Sequence, residues 1–284
     1  MPDLLIELLS EEIPARMQRK ASSDLEKLFT EGISELGLTY ASSANFSTPR
    51  RLTLVLENVS SKSLSRVEEK RGPRKDAPEK AIQGFLKSVD LELSQLEIRQ
   101  EKKGEFYFAS IRTEGRKADD IVSAVLDKTV RNFPWPKSMR WGEGSLKWVR
   151  PLHSIICILY DEDGSEVVNI DIEGVSAGDK TFGHRFMGNG DFSVKSFEDY
   201  VSKLKKEFVI LDPSERGETI LHEIQNQAFA QGLELINDPN LLSEVVGLVE
   251  WPVILMGKLE ERFLSLPPEV LQTSMREHQK FFSI

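Results

Sequence analysis

The sequence predicts an α+β fold: a mixed or antiparallel sheet body with packed helices, joined by a helical subdomain. Strand-like apolar segments alternate with helical periodicity through residues 1–192, and residues 193–248 show helical periodicity alone. The 284 residues are 39% hydrophobic and 29% charged, which is typical of a globular chain with a sizeable core. The predicted domains are therefore a body over residues 1–192, a helical subdomain over 193–248 and a return to the body over 249–284.

The N-terminal segment predicts a strand followed by a long helix. Five of the seven residues 3–9 are apolar, which is typical of a buried strand. Ser10 is a suitable N-cap, Glu11 and Glu12 favour a first turn, and apolar residues follow at helical spacing until Gly37. These acids suggest capping rather than acid–base catalysis. Leu52, Leu54 and Leu56 alternate with Thr53, Val55 and Glu57, which predicts a strand with one well-defined apolar face.

The segment 60–78 is polar and basic, and it predicts an exposed, mobile loop. Two interpretations are open for its cations: an arm that contacts phosphates, or a solvated linker. A short helix is predicted after Pro78, a hairpin over 98–112 that turns at 102–104, and a helix over 117–131.

Residues 137–153 (KSMRWGEGSLKWVRPLH) form the signature loop, with four cations and one acid in a chain of net charge −9. Trp141 and Trp148 lie among those cations, and two glycines interrupt any regular helix. The loop predicts either a surface for phosphates and bases, or a structural loop whose tryptophans cap the core. The four cations are Lys137, Arg140, Lys147 and Arg150.

The remaining elements are a hairpin, helices and a mixed C-terminal stretch. Residues 152–160 predict a buried strand that turns at 161–164 into a second strand over 167–172. Helices are predicted over 193–248, then a strand over 251–259, a helix starting at 267–269 and a strand over 279–284. Because the sequence stops inside an aromatic strand, it is expected to be the N-terminal portion of a longer chain.

No catalytic residue and no metal site are predicted. The phosphate-binding glycine motifs are absent, His222 lacks a second histidine at zinc-ligand spacing, and Glu215 with Arg216 suggests an exposed charge pair. The single cysteine, Cys157, lies in an apolar strand and predicts a buried, inert thiol in a reducing cytosol. The acidic balance restricts any nucleic-acid contact to local basic patches.

Several segments together resemble one family. Besides the signature loop, they are residues 7–14 (ELLSEEIP), 48–52 (TPRRL), 70–73 (KRGP), 183–188 (GHRFMG), 249–252 (VEWP) and 275–282 (MREHQKFF). These segments, in the order in which they occur along the chain, resemble the beta subunit of bacterial tetrameric glycyl-tRNA synthetase. The resemblance covers nearly the whole sequence, although each motif alone is weak.

The resemblance implies a non-catalytic part of a glycine–tRNA ligase. Aminoacylation, ATP and magnesium would belong to a separate alpha subunit, so this chain would carry no cofactor. The expected partners are that subunit, in an α2β2 assembly, and tRNA(Gly), in the cytoplasm and with no membrane. One alternative is a free-standing RNA-binding or adaptor protein. A second is an editing hydrolase on aminoacyl-tRNA with His184 as its base, which no paired nucleophile or metal motif supports.

Basic residues in the matching segments are the candidates for RNA contacts. Arg140 and Arg150 are the first choices, but they could instead clamp Glu250 or another acid. One or both of Arg50 and Arg51 could form salt bridges rather than bind phosphates. The predicted contacts are Arg50, Arg51, Lys70, Arg71, Arg74, Lys137, Arg140, Lys147, Arg150, His184 and Arg185.

Overall fold

A computed structural model describes residues 1–101 and 104–284 of the chain. Their contacts divide them into two compact units, one of residues 62–118 and one of residues 1–61 with 119–284. This division differs from the predicted one, because it isolates a segment inside the predicted body. The helices expected over 193–248 belong to the larger unit, and their separation as a subdomain stays a prediction.

The described residues form strands and α-helices with the following bounds. The strands are β1 Asp3–Ser10, β2 Ser42–Ser47, β3 Arg51–Glu57, β4 Arg66–Arg74, β5 Glu97–Glu101, β6 Gly104–Thr113, β7 Met139–Arg140, β8 Lys147–Trp148, β9 Leu152–Asp161, β10 Gly164–Val167, β11 Asp171–Ile172, β12 Val175–Gly178, β13 Lys180–Phe182 and β14 Asp191–Ser193. The helices are α1 Ala15–Glu35, α2 Glu79–Val89, α3 Ala118–Arg131, α4 Phe197–Lys206, α5 Pro213–Ala230, α6 Pro239–Val246 and α7 Pro268–Ser274. A π-helical turn, Met275–Gln279, follows α7.

The larger unit is built on a seven-stranded sheet. Its strand order is β11-β12-β9-β1-β3-β2, with β10 also paired to β9. The β9–β12 pair is parallel and the other described pairs are antiparallel. β1 therefore lies in the middle of the sheet, hydrogen-bonded along both edges, which explains why its sequence is almost continuously apolar.

Both faces of this sheet are covered by helices. α1 packs against β2 and β3 and buries Leu25 and Phe29. Tyr200 and Leu204 of α4 form a core cluster with Leu5 of β1 and neighbouring apolar residues of β3 and β9. Because side chains alternate between the faces of a strand, burial on both sides leaves little room for charge. An ionised residue inside β1 or β3 therefore needs a buried partner.

The smaller unit contains a three-stranded antiparallel sheet in the order β4-β6-β5, with α2 packed against β4. The predicted mobile loop over 60–78 is therefore wrong. β4 tolerates its charged residues because it pairs with β6 and because two of them form ion pairs with β5, on the other side of β6: Arg71 with Glu101 and Glu69 with Arg99. The predicted hairpin over 98–112 is confirmed, and the two lysines of its turn, residues 102 and 103, lie outside the described residues.

Most other predicted elements are confirmed, with three corrections. The first helix begins at Ala15 rather than after Ser10, because β1 extends to Ser10 and holds it in the sheet. The predicted strand over 167–172 is divided between β10 and β11. The strands predicted over 251–259 and 279–284 are wrong, because these residues do not join a described sheet, although their apolar content suggested one. Among the described helices, none is long and apolar enough to cross a membrane.

Candidate nucleic-acid interface

The signature loop folds into a small hairpin, here called the 139–148 hairpin. β7 and β8 pair antiparallel, with Met139 opposite Trp148 and Arg140 opposite Lys147. The chain reverses through Gly142, whose φ of +60° favours glycine. Arg140 and Lys147 are therefore neighbours on adjacent strands, where two like charges repel each other. This repulsion makes the position favourable for an anion.

The two tryptophans of this hairpin have different environments. Trp148 is 1% exposed, and its ring centroid lies 5.0 Å from those of Phe133 and Trp135. Trp141 is 37% exposed, and its indole nitrogen donates to the Trp148 carbonyl over 3.4 Å. Trp148 therefore anchors the hairpin to the core, as the structural interpretation expected. Part of the Trp141 side chain is accessible to solvent, which the base-stacking interpretation requires.

The cations of the hairpin are largely unpaired. Lys137, Arg140 and Lys147 are exposed, and within residues 1–101 and 104–284 no acid forms an ion pair with them. Arg150 is half-buried and donates to the Val149 carbonyl over 3.2 Å. The suggested clamp between these arginines and Glu250 is not seen, because Glu250 pairs with another residue. Two solvated cations of the hairpin, Arg140 and Lys147, and the adjacent Lys137 have no acid partner, so among the described residues this segment is the site best suited to phosphate contacts.

A carboxylate that the sequence did not single out holds the tip of the hairpin. Glu173, in the turn between β11 and β12, accepts hydrogen bonds from the backbone amides of Ser145 at 2.9 Å and Leu146 at 3.0 Å. It also accepts from the Ser145 hydroxyl. The two segments are 28 residues apart, so spacing in the sequence gives no signal of this contact.

The smaller unit carries a positive charge in an acidic chain. Residues 62–118 hold 14 Lys and Arg against 10 Asp and Glu, a net of +4. Most described cations on its sheet are nevertheless paired: Arg71 with Glu101 at 2.8 Å, and Arg74 with Asp76 at 3.1 Å. Lys70 is exposed and forms no described ion pair. These three predicted contacts therefore lie together on β4, but two of them are already partly neutralised.

Arg51 occupies a place unlike the one predicted for an RNA contact. Its side chain is 0% exposed, with Nε 3.2 Å from Glu7 and NH1 2.6 Å from Glu250. Burial opposes its charge, but Glu250 and Glu7 outweigh that effect and raise the pKa of Arg51. Its surface is therefore not available to RNA, and the salt-bridge interpretation describes this residue.

The acids of this buried pair are held by further hydrogen bonds. Glu7 accepts from the Tyr200 and Thr181 hydroxyls, and Glu250 accepts from Thr48 at 2.7 Å. Burial, followed by the charge of Glu7, raises the pKa of Tyr200 well above its usual value, so its hydroxyl stays a donor. The network joins β1, β3, β13, α4 and the segment at residue 250. It is a buried network of ion pairs and hydrogen bonds that connects these elements.

The two adjacent predicted contacts Arg185 and His184 have different partners, and only Arg185 contacts the acids at residues 11 and 12. Arg185 pairs with Glu11, and His153 lies 2.9 Å from the same carboxylate. The prediction that Glu11 caps a helix is therefore wrong: its carboxylate contacts the Arg185 guanidinium and the His153 ring. His184 accepts from the backbone amides of Phe186 and Met187 at 3.3 Å, a structural role. Burial lowers the pKa of His184 and favours its neutral form.

Arg50 differs from its neighbour in both exposure and pairing. Its side chain is half-buried, and its Nε has no hydrogen-bond partner in the described part of the chain. Burial is the main cause that lowers the pKa of Arg50, against the charge of Glu250. A cation that is partly buried and incompletely hydrogen-bonded would be stabilised by an added anion. Arg50 therefore remains a candidate for phosphate contact.

The chain matches a known family over almost its whole length. The family model described as "Glycyl-tRNA synthetase beta subunit" matches residues 4–284. Among curated relatives, the "Glycine--tRNA ligase beta subunit" of Cereibacter sphaeroides is 61% identical over 284 residues. Those of Paracoccus denitrificans and Dinoroseobacter shibae are 60% and 58% identical. Each match covers 100% of this chain but only 41%, 41% and 39% of the respective relative.

Proposed function

The chain belongs to the glycyl-tRNA synthetase beta subunit family, and on this premise we propose that it serves as the corresponding portion of a glycine–tRNA ligase. In this role it contributes tRNA binding and association with an alpha subunit, in an α2β2 assembly in the cytoplasm. The match over residues 4–284 is the observation that carries the proposal. The substrate RNA is tRNA(Gly).

The chemistry of aminoacylation is assigned to the alpha subunit in this proposal. ATP, Mg²⁺ and glycine bind there, and this chain supplies no catalytic residue and no cofactor ligand. Its own contribution is to bind and orient RNA, since an enzyme gains rate by holding its substrate in the reactive geometry. The unpaired cations of the 139–148 hairpin and Lys70 support this contribution.

The other candidate function is a free-standing RNA-binding or adaptor protein. It predicts RNA binding without an alpha subunit, and the family match does not favour it. Copurification of this chain with an alpha subunit, followed by glycylation of tRNA(Gly) by the mixture, separates the two functions. A chain that binds tRNA but neither retains an alpha subunit nor changes its glycylation would support the adaptor function.

The chain alone is expected to catalyse no glycine-dependent ATP–pyrophosphate exchange. The reason is that the proposed nucleotide and glycine sites belong to the partner. The measurement is exchange by a preparation free of alpha subunit, with the assembled enzyme as the positive control. Exchange above background that depends on glycine would contradict the non-catalytic assignment.

Replacing both exposed cations of the hairpin, in the double variant Arg140→Ala/Lys147→Ala, is expected to weaken tRNA binding. Each lost phosphate contact lowers the slope of log K against log salt by roughly one unit, so the pair should lower it by about two. The free energy of unfolding should change by less than about 1 kcal/mol, because exposed charges contribute little. Filter binding across a salt series measures the slope, and thermal unfolding measures the stability.

A matched control removes two charges elsewhere. Lys20 and Lys27 lie on the exposed side of α1 and pair with acids four residues later. The variant Lys20→Ala/Lys27→Ala has the same net charge as the hairpin variant. An equal fall in slope for both would show that net charge, and not the hairpin, determines binding.

A further inference from the structure

We propose that Glu173 is a positioning residue for RNA binding, whose carboxylate fixes the 139–148 hairpin in the form that presents Arg140 and Lys147. This inference rests on the proposed function. Glu173 does not touch the RNA in this scheme. It acts through the hairpin.

The carboxylate is bound by several donors of one loop. One oxygen, Oε2, accepts from the amides of Ser145 at 2.9 Å and Leu146 at 3.0 Å, and the other, Oε1, accepts from the Ser145 amide at 3.0 Å and from its hydroxyl. Successive amides that converge on one anion form a small anion-binding nest. These bonds lower the pKa of Glu173, led by the Ser145 hydroxyl. Glu173 is therefore ionised at neutral pH.

The backbone around Glu173 is shaped for this contact. Its φ is +53°, a left-handed conformation that a non-glycine residue rarely adopts, and Gly174 follows at +88°. A left-handed backbone conformation of this kind persists where the surrounding interactions offset its energetic cost. Here the compensation is the set of bonds to residues 145 and 146, with the Arg131 guanidinium 3.7 Å away.

The hairpin is shaped for the contact as well. A Cβ added to Gly144 would lie 2.2 Å from Oε2 of Glu173, so only glycine admits the carboxylate at this distance. The backbone of Gly144 does not itself require glycine, because its φ is not positive. The glycine is therefore needed for the approach of Glu173 and not for the turn.

Removing the Glu173 carboxylate has two effects on RNA affinity: the loss of a negative charge and the loss of the contacts that hold the hairpin. Its charge is negative, so it repels RNA, and a variant without that charge would bind more tightly if charge alone mattered. Loss of the clamp instead frees the loop between the two strands, and ordering it again on binding costs affinity. Charge and positioning therefore predict opposite signs for the same substitution.

Two variants test the positioning role. Glu173→Gln removes the charge and places an amide NH2 against the donors, and Gly144→Ala keeps the charge but displaces the carboxylate. Both are expected to weaken tRNA(Gly) binding about two- to tenfold at one fixed salt concentration. Both should also speed hydrogen exchange at the amides of residues 145 and 146, a readout that does not involve RNA. Glu166→Gln, at an exposed position on β10, is the control for charge and should show neither change.

Each other result overturns the inference. Tighter binding by Glu173→Gln would show that its charge, not its contacts, matters. Faster exchange with unchanged affinity would show a clamp that RNA binding does not use, and unchanged exchange would show no clamp. If the Arg140→Ala/Lys147→Ala variant binds as the unmodified chain does, the hairpin is not the RNA site and the proposed contact itself is wrong.

Discussion

Replacing Arg51 with methionine is expected to destabilise the chain by about 3–5 kcal/mol, because it leaves two buried carboxylates without their shared cation. Arg51 lies between Glu7 and Glu250, and all three side chains are buried. Methionine fills a similar volume, so the loss reports the charge rather than a cavity. The measurement is denaturant or thermal unfolding of the variant against the unmodified chain.

Two further variants show whether the cost arises from the unpaired acids. Arg51→Met combined with Glu250→Gln should recover part of the stability, since one of the two carboxylates is then neutral. Arg50→Met should be nearly neutral, because this adjacent side chain is half-buried and forms no described ion pair. Equal losses at the two arginines, or no recovery in the double variant, would contradict the buried-pair account.

The sheet body was predictable because its signals are local. The apolar run of β1, the strand β9 and the helices of residues 197–246 follow from periodicity alone. β4 was not predictable in this way, since a strand whose charged side chains form ion pairs with another strand of its sheet has the composition of a polar loop. Residues 251–259 gave the opposite error, because apolar composition does not require sheet pairing.

The candidate site was predictable only in part, for the same physical reason. The sequence of residues 137–150 shows a local excess of cationic over acidic residues. Whether a cation is solvated depends on residues far away: Arg51 meets Glu250, 199 residues later, and the tip of the hairpin meets Glu173. Composition and spacing do not encode such pairs, so Arg50 and Arg51, adjacent in sequence, received the same prediction and have different environments.

Arg216 gives the second large expected effect. The sequence suggested that Glu215 and Arg216 form an exposed charge pair, but the structure separates them. Glu215 pairs with Lys205 at the surface, at 2.8 Å. Arg216 is 0% exposed, and its guanidinium donates to the carbonyls of Ser47, Ile210, Leu211 and Val246. Burial lowers its pKa to about 10, which leaves it charged at neutral pH.

Arg216→Met is therefore expected to cost about 3–5 kcal/mol, since four carbonyls around it lose a charged donor and buried acceptors without partners are costly. Arg216→Lys should recover less than half of that loss, because one ammonium cannot reproduce the planar fork that reaches several carbonyls at once. Glu215→Gln, one residue away and at the surface, should cost less than about 1 kcal/mol. Unfolding free energies of the three variants decide the matter. If lysine fully replaces arginine, or if Glu215→Gln costs as much as Arg216→Met, the stabilisation comes from charge at this end of α5 and not from the buried hydrogen bonds.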